Sequence, residues 1–185
     1  MHRTIGISGS LRVGSFNTAL LRAACELSPA SNAVEIASIR AVPLYDGDFE
    51  EAEGIPPAVR ELQQRIADAD ALLLVSSEYN GGVPGVFKNA MDWLSRGELA
   101  VQNTSVGKPV ALMGASPGWR GTLLAQQAWL QTLRLLGLTP YSDKLLYVSG
   151  VSKLMQDSEL ADPATRDRLQ AYMAGFAGFV ARVRS

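Results

Sequence analysis

Short apolar runs alternate with helical periodicities about five times along this 185-residue chain, and that alternation constrains the fold more than any other feature. Residues 4–8 (TIGIS) read as a buried strand that ends in turn chemistry. From about Asn17, Leu20, Ala24 and Leu27 recur on one helical face, with Ser15 or Asn17 as cap and Ser28-Pro29 as stop. Residues 34–39 alternate more and read as an edge strand; a loop over 43–54 follows. Pro56-Pro57 opens a helix carrying Val59, Leu62 and Ile66. Residues 71–76 (ALLLVS) are continuously apolar, as the centre of a parallel sheet requires. A helix near Pro84 turns Phe87, Ala90, Met91 and Leu94 inward, and residues 109–115 make a fourth strand. The next helix contains Leu123, Leu130 and Leu133 and ends at Gly137; a fifth strand falls within 138–148. Asp162-Pro163 caps a last helix whose stripe is Leu169, Tyr172, Met173, Phe176 and Val180. Repeated strand–helix units with right-handed crossovers give an α/β domain, a doubly wound five-stranded parallel sheet with helices on both faces. The length suits one domain over 1–185.

Such sheets bind ligands beyond the carboxyl ends of their strands. Three loops rich in Ser, Asn, Gly and Tyr begin there, after Ser8, Ser76 and Ala115, and are expected to converge. Composition limits what they can do. Lys plus Arg is 17 and Asp plus Glu is 18, a net charge of −1 that argues against a nucleic-acid partner. The single cysteine, Cys25, forms no internal disulfide, and the single histidine, His2, is terminal. Most zinc sites and every Ser-His or Cys-His nucleophile that needs an ordered imidazole are removed, and no catalytic side chain and no metal ligand is assigned. The longest apolar runs are too short to span a bilayer, and no targeting segment stands out, so a cytoplasmic protein is expected. The chemistry of such a chain is supplied by something bound to it.

The first loop, 8–17 (SGSLRVGSFN), places backbone N–H groups at a helix start, where an anion is favoured. Ser10, Ser15 and Asn17 add short donors and Arg12 a charge. There is no Walker lysine, no G-x-G-x-x-G and no Cys-x5-Arg, which leaves a monophosphate or an ordinary capped turn. In the second loop, Gly81 and Gly82 permit close approach of a flat ligand while Tyr79 offers a face; the alternative is a turn with Tyr79 covering the core. The third, 116–121, is either a Gly-Pro turn or a lip on which Trp119 and Arg120 meet a second ligand. Lys88 and Asp92 suit a surface ion pair, Trp93 packing or a subunit contact, and Cys25 a small buried apolar site.

Three segments, GSLRVGSFN, EYNGGVPGVFKNAMDW and GASPGWRG, together resemble the NAD(P)H-dependent FMN reductase family of the flavodoxin-like fold, which includes quinone, azo-dye and chromate reductases. The resemblance runs in motif order over essentially the whole chain, and 78–93 is its most specific part. It implies bound FMN, with the phosphate contacted by Ser10, Arg12, Ser15, Phe16 and Asn17. It further implies that Glu78, Tyr79, Asn80 and Gly81 border the isoalloxazine, with Ser116 and Gly118 on the other side. NADPH or NADH is then the donor, and a quinone, free flavin or similar small molecule the acceptor, in a homodimer or homotetramer. Hydride transfer between stacked rings needs positioning rather than a general base, which agrees with the missing imidazole. Ser77 departs from the proline usual before Glu-Tyr-Asn, and PLYDGDFE (43–50) is a further family-like stretch. A flavodoxin-type electron shuttle is the alternative; its strongly acidic docking surface is at odds with a charge of −1.

Overall fold

The structure, a computed structural model, describes residues 1–184. Its sheet has β1 (His2–Ser8) between β2 (Asn32–Ala37) and β3 (Ala71–Val75), with β4 (Pro109–Ala115) beyond β3. The fifth position is shared by two short strands, β5 (Thr139–Pro140) and β6 (Leu146–Val148), which pair in succession with β4. All these pairs are parallel. The order β2-β1-β3-β4-β5 is that of flavodoxin-like sheets, which reverse direction of growth at β1 and β3.

The unbroken apolar run of β3 follows from burial on both faces. Leu72 and Leu74 point to one side, where Leu62 and Ile66 of α3 (Pro57–Ala67), Phe87 and Met91 of α4 (Gly85–Leu94), and Trp129 and Leu133 of α6 (Leu123–Leu135) pack. Leu73 and Val75 point to the other, against Leu20 and Leu21 of α1 (Phe16–Leu27) and Tyr172, Met173 and Phe176 of α7 (Pro163–Arg184). The expected caps hold. Ser15 Oγ accepts from Thr18 N, and Asp162 Oδ2 accepts from Thr165 N at 2.8 Å.

Several expectations need correction. The 43–54 loop contains α2 (Gly47–Glu53), capped by Asp46 accepting from Asp48 N; none of its residues is buried, so no apolar period announced it. The first two strands start two residues earlier than the apolar runs suggested, because His2, Arg3 and Asn32 are polar and no apolar run marks them, and the second ends two residues earlier, at Ala37. The fifth strand is broken over 141–145, where Tyr141 turns inward onto Tyr172, Phe176 and Phe179. In α6, Leu130 is half exposed and Trp129 takes the core position instead. A short helix α5 (Val101–Thr104) and a hairpin of β7 (Met155–Gln156) and β8 (Glu159–Leu160) complete the chain. Trp93 is fully buried and donates to Pro43 O, so its role is packing. Lys88 and Asp92 form the expected exposed i,i+4 pair.

Candidate functional site

The three polar loops do converge, at the carboxyl ends of β1, β3 and β4. Pairing continues one residue past each strand: Gly9 N donates to Val75 O, Ser76 N to Met113 O and Ser116 N to Val148 O, each at 2.9 Å. The loops therefore depart from one level. Asn17 then ties them together. Its Nδ2 donates to Ser77 Oγ (2.9 Å) and Ala115 O (3.0 Å), and its Oδ1 accepts from Ala115 N (2.8 Å). With 4 % of its surface exposed, this side chain is wholly committed to the three-loop junction, and only its backbone N–H is left for a ligand.

Between the loops lies an open cavity of about 240 Å³. Ser10, Arg12, Ser15, Phe16 and Asn17 form one wall, and Glu78, Tyr79 and Ser116 belong to the opposite one. Ser77, Ala115 and Pro117 line it too and were not among the expected site residues; their position at, or two residues beyond, two strand ends was the available signal. Asn80, Gly81 and Gly118 are not among the lining residues. On the first wall, Ser15 accepts from Thr18 N and keeps its hydroxyl proton to donate. Among the described residues, the N–H groups of Val13, Gly14, Ser15, Phe16 and Asn17 donate to no protein acceptor. The Arg12 guanidinium lies 5.7 Å from the Phe16 ring centre and belongs to no ion pair in the described chain. Free amides at a helix start, hydroxyls and one cation make a donor-rich surface that suits an anion.

The opposite wall is built differently. Tyr79 and Gly82 exchange both backbone hydrogen bonds (3.2 and 2.9 Å), closing a two-residue turn over Asn80 and Gly81. Both central residues have positive φ, +52° and +73°, the primed turn that asparagine–glycine favours. The turn leaves the N–H groups of Asn80 and Gly81 without protein acceptors among the described residues. Glu78 reaches sideways: its Oε2 accepts from Ala125 N at 3.0 Å in the first turn of α6, whose N-cap residue Thr122 makes no side-chain cap. A carboxylate there is favoured by the helix dipole and braces the loop. In the third loop, Ser116 Oγ accepts from Gly118 N at 3.1 Å, and Trp119 stands 81 % exposed on the rim with Arg120 4.6 Å above its ring. Cys25 is only partly buried, against the core between α1 and α7, and that burial pushes its thiol up to about 11, so it stays protonated at neutral pH.

The sequence profile described as NADPH-dependent FMN reductase matches residues 2–152. The chain belongs to that family. An NAD(P)H-dependent FMN reductase of Pseudomonas aeruginosa is 39 % identical over 183 residues, covering 98 % of this chain and 97 % of the relative. A quinone reductase of Escherichia coli is 36 % identical over 186 residues, with coverages of 98 % and 97 %. Among solved structures, the flavoenzyme FerB of Paracoccus denitrificans, an NAD(P)H:(acceptor) oxidoreductase, superposes with a TM-score of 0.86 at 29 % identity, covering 98 % of both chains. The FMN reductase profile thus spans every strand that carries a site loop, and the full-length relatives extend the likeness through α7.

Proposed function

We propose that this chain is an FMN-dependent oxidoreductase that takes hydride from NADPH or NADH and passes electrons to a quinone, free flavin or similar small acceptor. One observation carries the reading. The donor-rich wall at the start of α1 faces, across one cavity, Glu78 and Tyr79 at the foot of a turn that carries two free amides, an arrangement that suits a phosphate and a flat polar ring. The chemistry of the donor set fits the group. Ser10, Arg12, Ser15 and the free amides of 13–17 would hold the phosphate, and Phe16 would lie beside the chain that leads from it. Tyr79, Asn80 and Gly81 would border the ring, with Ser116 and Gly118 across from them and Glu78 fixing the turn in place. FMN, when bound, supplies the hydride acceptor and electron donor that these side chains lack. The protein's part is to position two flat molecules and keep one face of the cavity open. We assign no catalytic side chain.

The same reading carries a single FMN-binding domain over 1–185, a cytoplasmic setting and a homodimer or homotetramer. Among the described residues no helix is long and apolar enough to cross a membrane, and no group of His, Cys, Asp and Glu could hold a metal ion. The test is direct. The purified protein is expected to show a flavin spectrum and to bleach anaerobically on titration with NADPH or NADH, the colour returning with a quinone. A yellow protein that oxidises neither nicotinamide would be an electron shuttle. Light scattering reads the subunit count.

A further inference from the structure

The β1–α1 loop has a second face. Across it from the cavity just described lies another of about 330 Å³, at the carboxyl ends of β1 and β2. Ser10 and Arg12 line both, so the two adjoin across the loop. Its floor is apolar, from Ile36, Ala37 and Ile39, and Val13 stands 94 % exposed at its edge. Its polar side chains are the two cations Arg12 and Arg40 and the hydroxyls of Ser8, Ser10, Thr18 and Ser38, those of Ser8 and Thr18 being paired with each other. No acidic side chain lines it. Among the described residues, neither Arg12 nor Arg40 has an ion-pair partner, whereas the nearby Arg65 is turned to Glu35 (3.8 Å) and Ile36 O (3.0 Å). Arg40 is nonetheless held in place, because one of its terminal nitrogens donates to Leu11 O. The remaining N–H groups of that guanidinium are free to grip an anion.

With Arg12 assigned to the FMN phosphate, Arg40 over an apolar floor is the cation left for a phosphate monoester attached to a flat base. Resting on the proposed function, we propose that this second cavity receives the 2′-phosphoadenosine end of NADPH and that Arg40 selects NADPH over NADH. The nicotinamide end then lies in the first cavity, and the dinucleotide crosses the 10–13 loop where the two cavities meet. The base rests on Ile36 and Val13, and Arg40 meets the 2′-phosphate by charge-assisted hydrogen bonds. Arg40 lies outside the first cavity's lining, so FMN retention does not depend on its charge.

The experiment uses FMN-loaded protein and the variants Arg40→Gln and Arg40→Ala. Glutamine keeps an N–H donor for Leu11 O and removes the charge; alanine removes both. Calorimetry measures adenosine 2′,5′-bisphosphate, adenosine 5′-diphosphate and inorganic phosphate. The wild type is expected to bind the bisphosphate about ten-fold or more tighter than the diphosphate, the size of one charge-assisted contact. Arg40→Gln is expected to erase that preference and raise KM for NADPH by a similar factor, leaving kcat, NADH turnover and flavin content unchanged. Equal binding of the two nucleotides by the wild type overturns the proposal. So does inorganic phosphate binding as tightly as the bisphosphate, which would mark a simple anion site. A preference kept in Arg40→Gln and lost only in Arg40→Ala overturns it too, since Arg40 would then act only by holding Leu11. If the loaded protein oxidises neither nicotinamide, the proposed function fails; the nucleotide preference is read without turnover and is judged separately.

Discussion

Asn17 and Ser15 sit two residues apart at the head of α1 and do different work. From the sequence both looked like phosphate donors; the structure spends Asn17 on the loop junction and leaves Ser15 facing the cavity. The difference is one of helical phase, which a side-chain inventory does not show. Asn17→Ala strips the Ala115 N–H and C=O and the Ser77 hydroxyl of a buried partner, at a cost of about 2–4 kcal/mol and a drop in Tm of roughly 10 °C. Thermal melts of the flavin-free protein check this, and an unchanged Tm would remove Asn17 from the junction. Ser15→Asp is the converse case. Aspartate caps a helix as well as serine does, so the fold is kept, but it sets a carboxylate against the proposed phosphate. FMN affinity is expected to fall about a hundred-fold or more, as loss of a charge-assisted contact plus repulsion implies. Flavin content after gel filtration reads the outcome, and retention at wild-type level would sink the phosphate assignment.

Elements were legible in the sequence wherever burial imposed a period. β3 reads directly because Leu72 and Leu74 serve one layer while Leu73 and Val75 serve the other. α4 and α7 read because each has one buried stripe: Phe87, Ala90, Met91 and Leu94 in the first, Leu169, Tyr172, Met173, Phe176 and Val180 in the second. α2 escaped because it buries nothing, and its only mark was the Asp46 cap. The three site loops could be located because strand ends locate them, whereas the cavity across the β1–α1 loop depends on where β2 lies in the sheet. The broken fifth strand escaped for a different reason, since Tyr141 is placed by a glycine in another element. A Cβ on Gly175 of α7 would stand 2.2 Å from Tyr141 Oη and 3.4 Å from its ring carbon Cζ. Tyr141 cannot swing away, being packed on Tyr172, Phe176 and Phe179. Gly175→Ala is therefore expected to destabilise by about 1–2 kcal/mol, overpacking outweighing a helix-propensity gain of about 1 kcal/mol. In a Tyr141→Phe background the close oxygen is gone, so the same substitution becomes neutral or stabilising. A double-mutant cycle by urea denaturation checks the reversal, and additive effects would disprove the coupling.

Across the whole molecule, the site occupies one end of the sheet, and the opposite end carries the chain's most perturbed cation. Lys108, just before β4, is 2 % exposed and donates through Nζ to Ile66 O and, at 3.1 Å, to Ala67 O, closing the carboxyl end of α3. Burial, with help from Arg184, lowers its ammonium from 10.5 to about 8, against the pull of Asp70 and Asp68. Above pH 8 the folded chain has released this proton while the unfolded chain keeps it until about 10.5. The unfolded state then binds more protons, so stability rises with pH across that window. Cys25 works the other way. Its thiol keeps its proton to about 11 in the fold, while in the unfolded chain it titrates near 9.0, so stability is lost as pH climbs through that range. Tyr172, whose hydroxyl donates to Leu112 O and is pushed well up by burial, opposes further from about pH 10. Between pH 8 and 9 Lys108 acts without that opposition, so Tm is expected to rise there, and above pH 9 the rise should flatten. Lys108→Met should abolish the rise, because methionine fills the same channel without a charge to shed, while Cys25→Ala should carry the rise beyond pH 9. Calorimetric scans of wild type and both variants over pH 7–10 decide it: a Lys108→Met protein whose Tm still climbs from pH 8 to 9 by the wild-type amount would show that the buried ammonium is not the group that titrates.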